Sequence, residues 1–146
     1  MLSAVRLSRE ERLRLLAAAD PGELAECADA CLAATADVAV IAPPRVGCVC
    51  AQVREPIMKE RFILGDVLAC TAEVEFNGTR GWAMRLGDDR AATLAMAILD
   101  AAAEADPAAA GRVGELCARV AGLLRRAETD EWAELAPTIV EFEELA

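Results

Sequence analysis

Six cysteines, one lysine and no histidine define the chemistry open to this chain. Without imidazole there is no Ser-His-Asp or Cys-His relay and no histidine-ligated zinc. General acid–base work falls to carboxylates or Lys59, and the spacing of these groups singles out no pair. Cys27 and Cys31 stand one helical turn apart, and Cys48 and Cys50 share one face of a strand-like run. Neither pair is a C-x-x-C loop that converges sulfurs on a metal, and free cysteine also serves as a small buried hydrophobe, so core filling is the preferred reading. Neither G-x-x-x-x-G-K-[ST] nor G-x-G-x-x-G occurs, which removes both common glycine-rich nucleotide cradles.

Two segments keep promise as contact sites. Arg61-Phe62-Ile63-Leu64-Gly65-Asp66 gathers a cation, an aromatic, a glycine and an acid. Its plain reading is a loop in which Gly65 adopts a backbone conformation closed to other residues and Phe62 plugs the core; its functional reading is a partner or ligand contact. Gly87-Asp88-Asp89 sets backbone amides at a helix start, where anions bind, yet two adjacent aspartates favour a cap. The candidate partner or ligand contacts are Arg61, Phe62, Gly65, Asp66, Trp82, Met84, Gly87 and Asp89. No catalytic or metal-ligating residue is assigned.

The elements that must position these residues follow from periodicity and caps. Ser8-x-x-Glu11 is a capping box, predicting a helix over about Arg9 to Ala19. Asp20-Pro21 restarts a helix with Leu24, Cys27, Ala28, Cys31 and Leu32 on one face. Val38 to Ile41, ended by Pro43-Pro44, and Val46 to Val53, apolar on both faces as in an interior strand, predict sheet. Asp66–Phe76, Asn77-Gly78 and Thr79–Leu86 spell a hairpin with a two-residue turn, pairing Phe76 with Thr79, Glu75 with Arg80, Val74 with Gly81 and Glu73 with Trp82. Cys70, Ala72, Val74 and Phe76 then share one apolar face, while Trp82, Met84 and Leu86 make the other too apolar for bare water. A helix over about Asp89 to Ala105 carries a stripe of Ala91, Leu94, Ala95, Ile98 and Ala102, and Pro107 opens another with Val113, Leu116, Cys117, Val120 and Leu124; both are expected on the sheet. A turn or short helix around Trp132 and an edge strand over Thr138 to Phe142 complete the chain.

The expected class is α+β, an antiparallel sheet with a central hairpin packed by N-terminal and C-terminal helices, in one domain over residues 1–146. A chain of this length buries a real core, though only five aromatics contribute to it. A formal charge of −10 excludes nucleic-acid backbone binding as a main role. Apolar runs fall short of the roughly 18 to 20 residues of a membrane span, and early charges at Arg6, Arg9, Glu10 and Glu11 oppose a signal peptide, so a reduced, cytoplasmic setting is expected. Acid collects late, at Glu128, Asp130, Glu131, Glu134, Glu141, Glu143 and Glu144, as a solvated face or a match for a basic groove on a partner.

The order of these elements and several local words resemble the G subunits of the bacterial carbon–phosphorus lyase system, the PhnG family. The words are Arg61-Phe62-Ile63-Leu64-Gly65-Asp66, the hairpin through Gly81-Trp82, Leu86-Gly87-Asp88-Asp89 and Ala97-Ile98-Leu99-Asp100-Ala101. Leu15-Leu16-Ala17, Leu24-Ala25 and Val140-Glu141-Phe142 resemble the family's ends. Where the family carries a glycine-rich loop before the Phe, this chain has Glu55-Pro56-Ile57-Met58-Lys59-Glu60; where it carries Thr-Arg, this chain has Cys70-Thr71. Gly-Arg-Asp followed by His-Ala becomes Gly87-Asp88-Asp89 and then Ala92-Thr93, which weakens a direct ligand role more than a scaffolding one.

The resemblance implies a cytoplasmic, hetero-oligomeric complex of phosphonate catabolism with PhnH-, PhnI- and PhnJ-like subunits, PhnI-like most directly. It implies support for forming α-D-ribose 1-methylphosphonate 5-triphosphate from ATP and methylphosphonate, with ATP a substrate of the complex and no cofactor held by this chain. Two other classes compete: a stand-alone enzyme using Asp66 and Arg61 or a cysteine, and a cysteine-based metal or redox protein. Elemental analysis of anaerobically purified protein is expected to return well below one metal per chain; a stoichiometric metal content would favour the last class.

Overall fold

The computed structural model describes residues 7–34 and 37–140. Each helix starts where a side-chain oxygen meets orphan amides. In α1 (Arg9–Ala18) the Ser8 hydroxyl accepts from the Glu11 N–H at 3.2 Å, and the Glu11 carboxylate accepts from the Ser8 N–H at 3.1 Å. Asp20 opens α2 (Pro21–Ala34), accepting from the amides of Gly22 and Glu23. Asp89 caps α3 (Arg90–Ala105), and Asp106 caps α4 (Pro107–Leu135) through the amides of Ala108 and Ala109.

Three strands, β1 (Val38–Arg54), β2 (Arg61–Phe76) and β3 (Thr79–Leu86), form an antiparallel sheet in the order β1-β2-β3, giving the expected α+β class. The β2–β3 hairpin has the register expected from Asn77-Gly78, from Phe76 opposite Thr79 to Glu73 opposite Trp82. Both turn residues have positive φ, 48° and 78°, as a type I′ turn requires. Cys70, Ala72, Val74 and Phe76 are buried on the face that meets α3.

Several expectations give way to the observed packing. Residues 38–54 form one strand, which crosses Pro43-Pro44 through shifts of register; it lies at the sheet edge, where a missing N–H breaks no ladder, and not in the interior. Cys48 and Cys50 are consequently exposed, whereas Cys31, Cys70 and Cys117 do fill the core. Strand β2 begins at Arg61, five residues before the expected start. Helix α3 has no stripe: Ala91 is exposed, but Ala92, Thr93 and Ala95 through Ala102 are all buried. It lies between the sheet on one side and α1, α2 and α4 on the other, so apolar residues are needed all round. Helix α4 packs on α1, α2 and α3 in place of the sheet, and runs straight through Trp132. Ala136–Thr138 form a 3-10 turn and Ile139 and Val140 join no strand; the rest of the expected terminal strand, Glu141 and Phe142, lies outside the described residues.

The Ser8 backbone and side-chain donors hold the Glu11 carboxyl below its ordinary range. A depressed acid adds stability above its unfolded-state pKa, and that stability disappears as pH falls through the folded value. Ser8→Ala is expected to lower unfolding stability by about 1 kcal/mol at neutral pH. The deficit should shrink in acid, as denaturant melts at pH 7 and pH 3 would show.

Candidate functional site

The polar centre of the molecule is Asp100, which stands among the apolar residues of α3 with no solvent exposure. Its Oδ1 accepts from Arg9 Nε at 3.1 Å and Arg12 Nη2 at 3.0 Å. Its Oδ2 accepts from Arg9 Nη2 at 2.6 Å and the Trp82 backbone N–H at 3.1 Å. Arg12 Nη2 also donates to Glu104 at 2.6 Å, and Arg9 Nη2 to the Arg80 carbonyl at 3.1 Å. The hydrogen bond to Asp100 raises the pKa of Arg9 further. A buried carboxylate with this many donors is a structural tie between α1, α3 and β3.

Two neighbours complete the tie. At Gly81 an added Cβ would overlap the Ala97 carbonyl and come within 2.5 Å of the Ala101 nitrogen, so β3 approaches α3 at glycine distance. Arg85 Nη1 and Nη2 donate to the carbonyls of Leu16 and Ala19, satisfying the C-terminal end of α1. Sequence reasoning assigned no role to Asp100, Arg9, Arg12 or Arg85. The readable signal was a lone acid inside Ala97-Ile98-Leu99-Asp100-Ala101-Ala102, because a carboxylate in a fully apolar helix needs a cation.

Held by this tie, the sheet carries a ribbon beyond the helices. Strand β3 ends at Leu86 opposite Ala69, and the Gly87 N–H closes the pairing on the Leu68 carbonyl at 2.8 Å. From there outward, Arg61–Leu68 pair only with Cys48–Arg54 of β1, through a ribbon roughly 25 Å long. Successive strand residues point to opposite faces, yet every residue from Arg61 to Leu68 is exposed: Phe62 at 49%, Val67 at 37% and Leu68 at 46%. The connecting loop adds exposed Ile57 and Met58. A lone two-stranded ribbon is marginal in water, and its apolar side chains stand open to solvent in this chain.

The expected contact residues fall in three places. Arg61, Phe62, Gly65 and Asp66 lie together on the ribbon, with Gly65 at φ 149° beside the irregularity at Ala51 and Gln52. Phe62 does not plug the core as expected, because the helices end short of it. Trp82 and Met84 stand partly exposed on the face of β3 turned away from α3. Gly87 and Asp89 form the joint between β3 and α3, where Asp89 Oδ1 accepts from the Ala92 N–H at 2.9 Å as a helix cap.

No group of three or more Cys, Asp or Glu is arranged for a metal among the described residues. A hydrogen bond from Cys27 lowers the Cys31 thiol to about 7 and raises Cys27, but Cys31 is buried from solvent. No helix among the described residues is long and apolar enough to cross a membrane.

The family model described as "Phosphonate metabolism protein PhnG" matches residues 7–146. This chain belongs to the PhnG family. No curated protein sequence matches it. Family membership makes it a protein of phosphonate metabolism. In this PhnG family member the resembling words have physical roles: Gly81-Trp82 and Asp100 belong to the buried tie, and Leu86-Gly87-Asp88-Asp89 closes the sheet and caps α3.

Asp100→Asn leaves two guanidinium groups without their shared charge partner, one of them buried, and should cost about 3 kcal/mol or more of unfolding free energy. Gly81→Ala should cost about 1–3 kcal/mol by overpacking against the α3 backbone. Chemical denaturation of both variants checks these losses; wild-type midpoints would remove the tie from its central position.

Proposed function

We propose that this chain is the G-type subunit of a carbon–phosphorus lyase core complex, non-catalytic by itself, which assembles in the cytoplasm with H-, I- and J-type subunits and meets the I-type subunit most directly. Its role is to support formation of α-D-ribose 1-methylphosphonate 5-triphosphate from ATP and methylphosphonate on the assembled complex. The observation that carries this reading is the ribbon of Cys48–Arg54 and Arg61–Leu68, apolar and open on both faces in a member of a phosphonate family. A surface patch needs one partner face, whereas a ribbon bare on both sides fits a socket with two apolar walls, which is how a permanent subunit is held. Trp82 and Met84 extend one of those faces onto the body of the sheet.

Arg61 and Asp66 stand on the open ribbon and line neither the concavity between α1 and α4 nor the one beside Trp132. No observation therefore favours the stand-alone enzyme that would use them.

Co-expression with H-, I- and J-type subunits followed by size exclusion tests the assignment. The wild-type chain should co-elute with the I-type subunit. Phe62→Asp with Leu64→Asp should weaken association at least about tenfold, since each apolar side chain buried is worth roughly 1.5–3 kcal/mol, while leaving the melting temperature within a few degrees. Separate elution of well-folded wild-type proteins would overturn it.

A further inference from the structure

Helix α4 contains three interior glycines, Gly111, Gly114 and Gly122, each of which weakens a helix relative to alanine. Gly81 shows what a required glycine looks like, since its Cβ would strike α3; at Gly111, Gly114 and Gly122 an added Cβ meets nothing within 4 Å. The packing of the chain on itself gives no reason for them. Gly111 and Gly114 open onto a concavity of about 600 Å³ between α1 and α4, with Leu15 and Ala118 among its walls. Small residues along three turns of helix allow a second backbone to approach closely.

The polar groups of this groove indicate what approaches. Among the described residues, Glu104, Asp106 and Glu115 line it against a single cation, Arg12. Arg12 is 9% exposed, its Nη2 is held by Asp100 and Glu104, and its Nε has no acceptor among the described residues. The wall thus presents surplus negative charge among the described residues. A free anion meets three carboxylates here. A second copy of this chain, packed about a two-fold axis, would oppose Glu115 with its own equivalent while each chain carries −10.

We infer that the groove between α1 and α4 seats an α-helix of a different protein, one with an apolar contact face flanked by Lys or Arg. The two wall helices give the ridge-and-groove surface that a third helix fits, and the glycines let it lie close. Lys or Arg on its flanks meets Glu115 and the part-exposed Glu104. This surface lies on the helical side of the molecule, separate from the ribbon, and the inference stands whether or not the phosphonate assembly is the partner.

The test uses the full chain and a synthetic helical peptide of about 18 residues, with an Ala/Leu stripe flanked by lysines, beside a counterpart flanked by glutamates. In amide NMR spectra the lysine peptide should shift Gly111, Gly114 and Ala118 saturably, and the glutamate peptide should not. Gly114→Leu and, separately, Glu115→Lys should weaken the lysine peptide at least tenfold with circular dichroism unchanged. Gly114→Ala should raise the melting temperature of the free chain by roughly 2–4 °C. No saturable shift from the lysine peptide, shifts confined to the ribbon, equal response to both peptides, or a lower melting temperature for Gly114→Ala would each overturn the inference.

Discussion

One buried carboxylate organises the polar interior. Asp100 holds α1 through two guanidinium groups and β3 through a backbone amide, all from the middle of a helix whose buried residues are otherwise apolar apart from Thr93. Those donors offset the cost of burying the charge, and they do so only if α1, α3 and β3 take up one relative arrangement. Gly81 enforces the same arrangement sterically, and Arg85 closes the end of α1 from the same strand. The apolar core supplies the drive to fold, and this polar cluster selects one register for the three elements.

Local signals were legible because local physics decides them. The Ser8 box, the Asp20-Pro21 and Pro107 helix starts and the Asn77-Gly78 turn depend on residues a few positions apart, and all lie where the sequence places them. What failed was inference about neighbours. A run apolar on both faces, Val46–Val53, reads as an interior strand by periodicity, yet it is an edge strand extending past the helices. Periodicity reports that both faces avoid water and says nothing of which molecule covers them. The same gap hid the continuous burial of α3, because alanine is compatible with either an exposed or an enclosed face.

The candidate site was legible in position and misread in environment. Arg61–Asp66 stood out by composition and do lie on the exposed ribbon; Phe62, named among the contact residues and a core plug only on the plain loop reading, is exposed. Asp89 was read as a cap and is one. Asp100 appeared only as part of a family word, since its partners Arg9 and Arg12 lie about ninety residues earlier and no local rule joins them.

The separation of Arg9 from Asp100, 91 residues along the chain, also bears on how the molecule is made. A nascent chain leaves the ribosome from its N-terminus, so α1 emerges with both arginines long before their acid has been synthesised. During that interval the ribbon strands are already complete, before α3 is in place. The interval before α3 emerges is when the exposed β1 edge is most open to wrong pairing. The two prolines at positions 43 and 44, neither of which can donate to a neighbouring strand, interrupt the pairing pattern of β1 and so oppose a foreign strand during synthesis as well as shifting the register in the finished sheet.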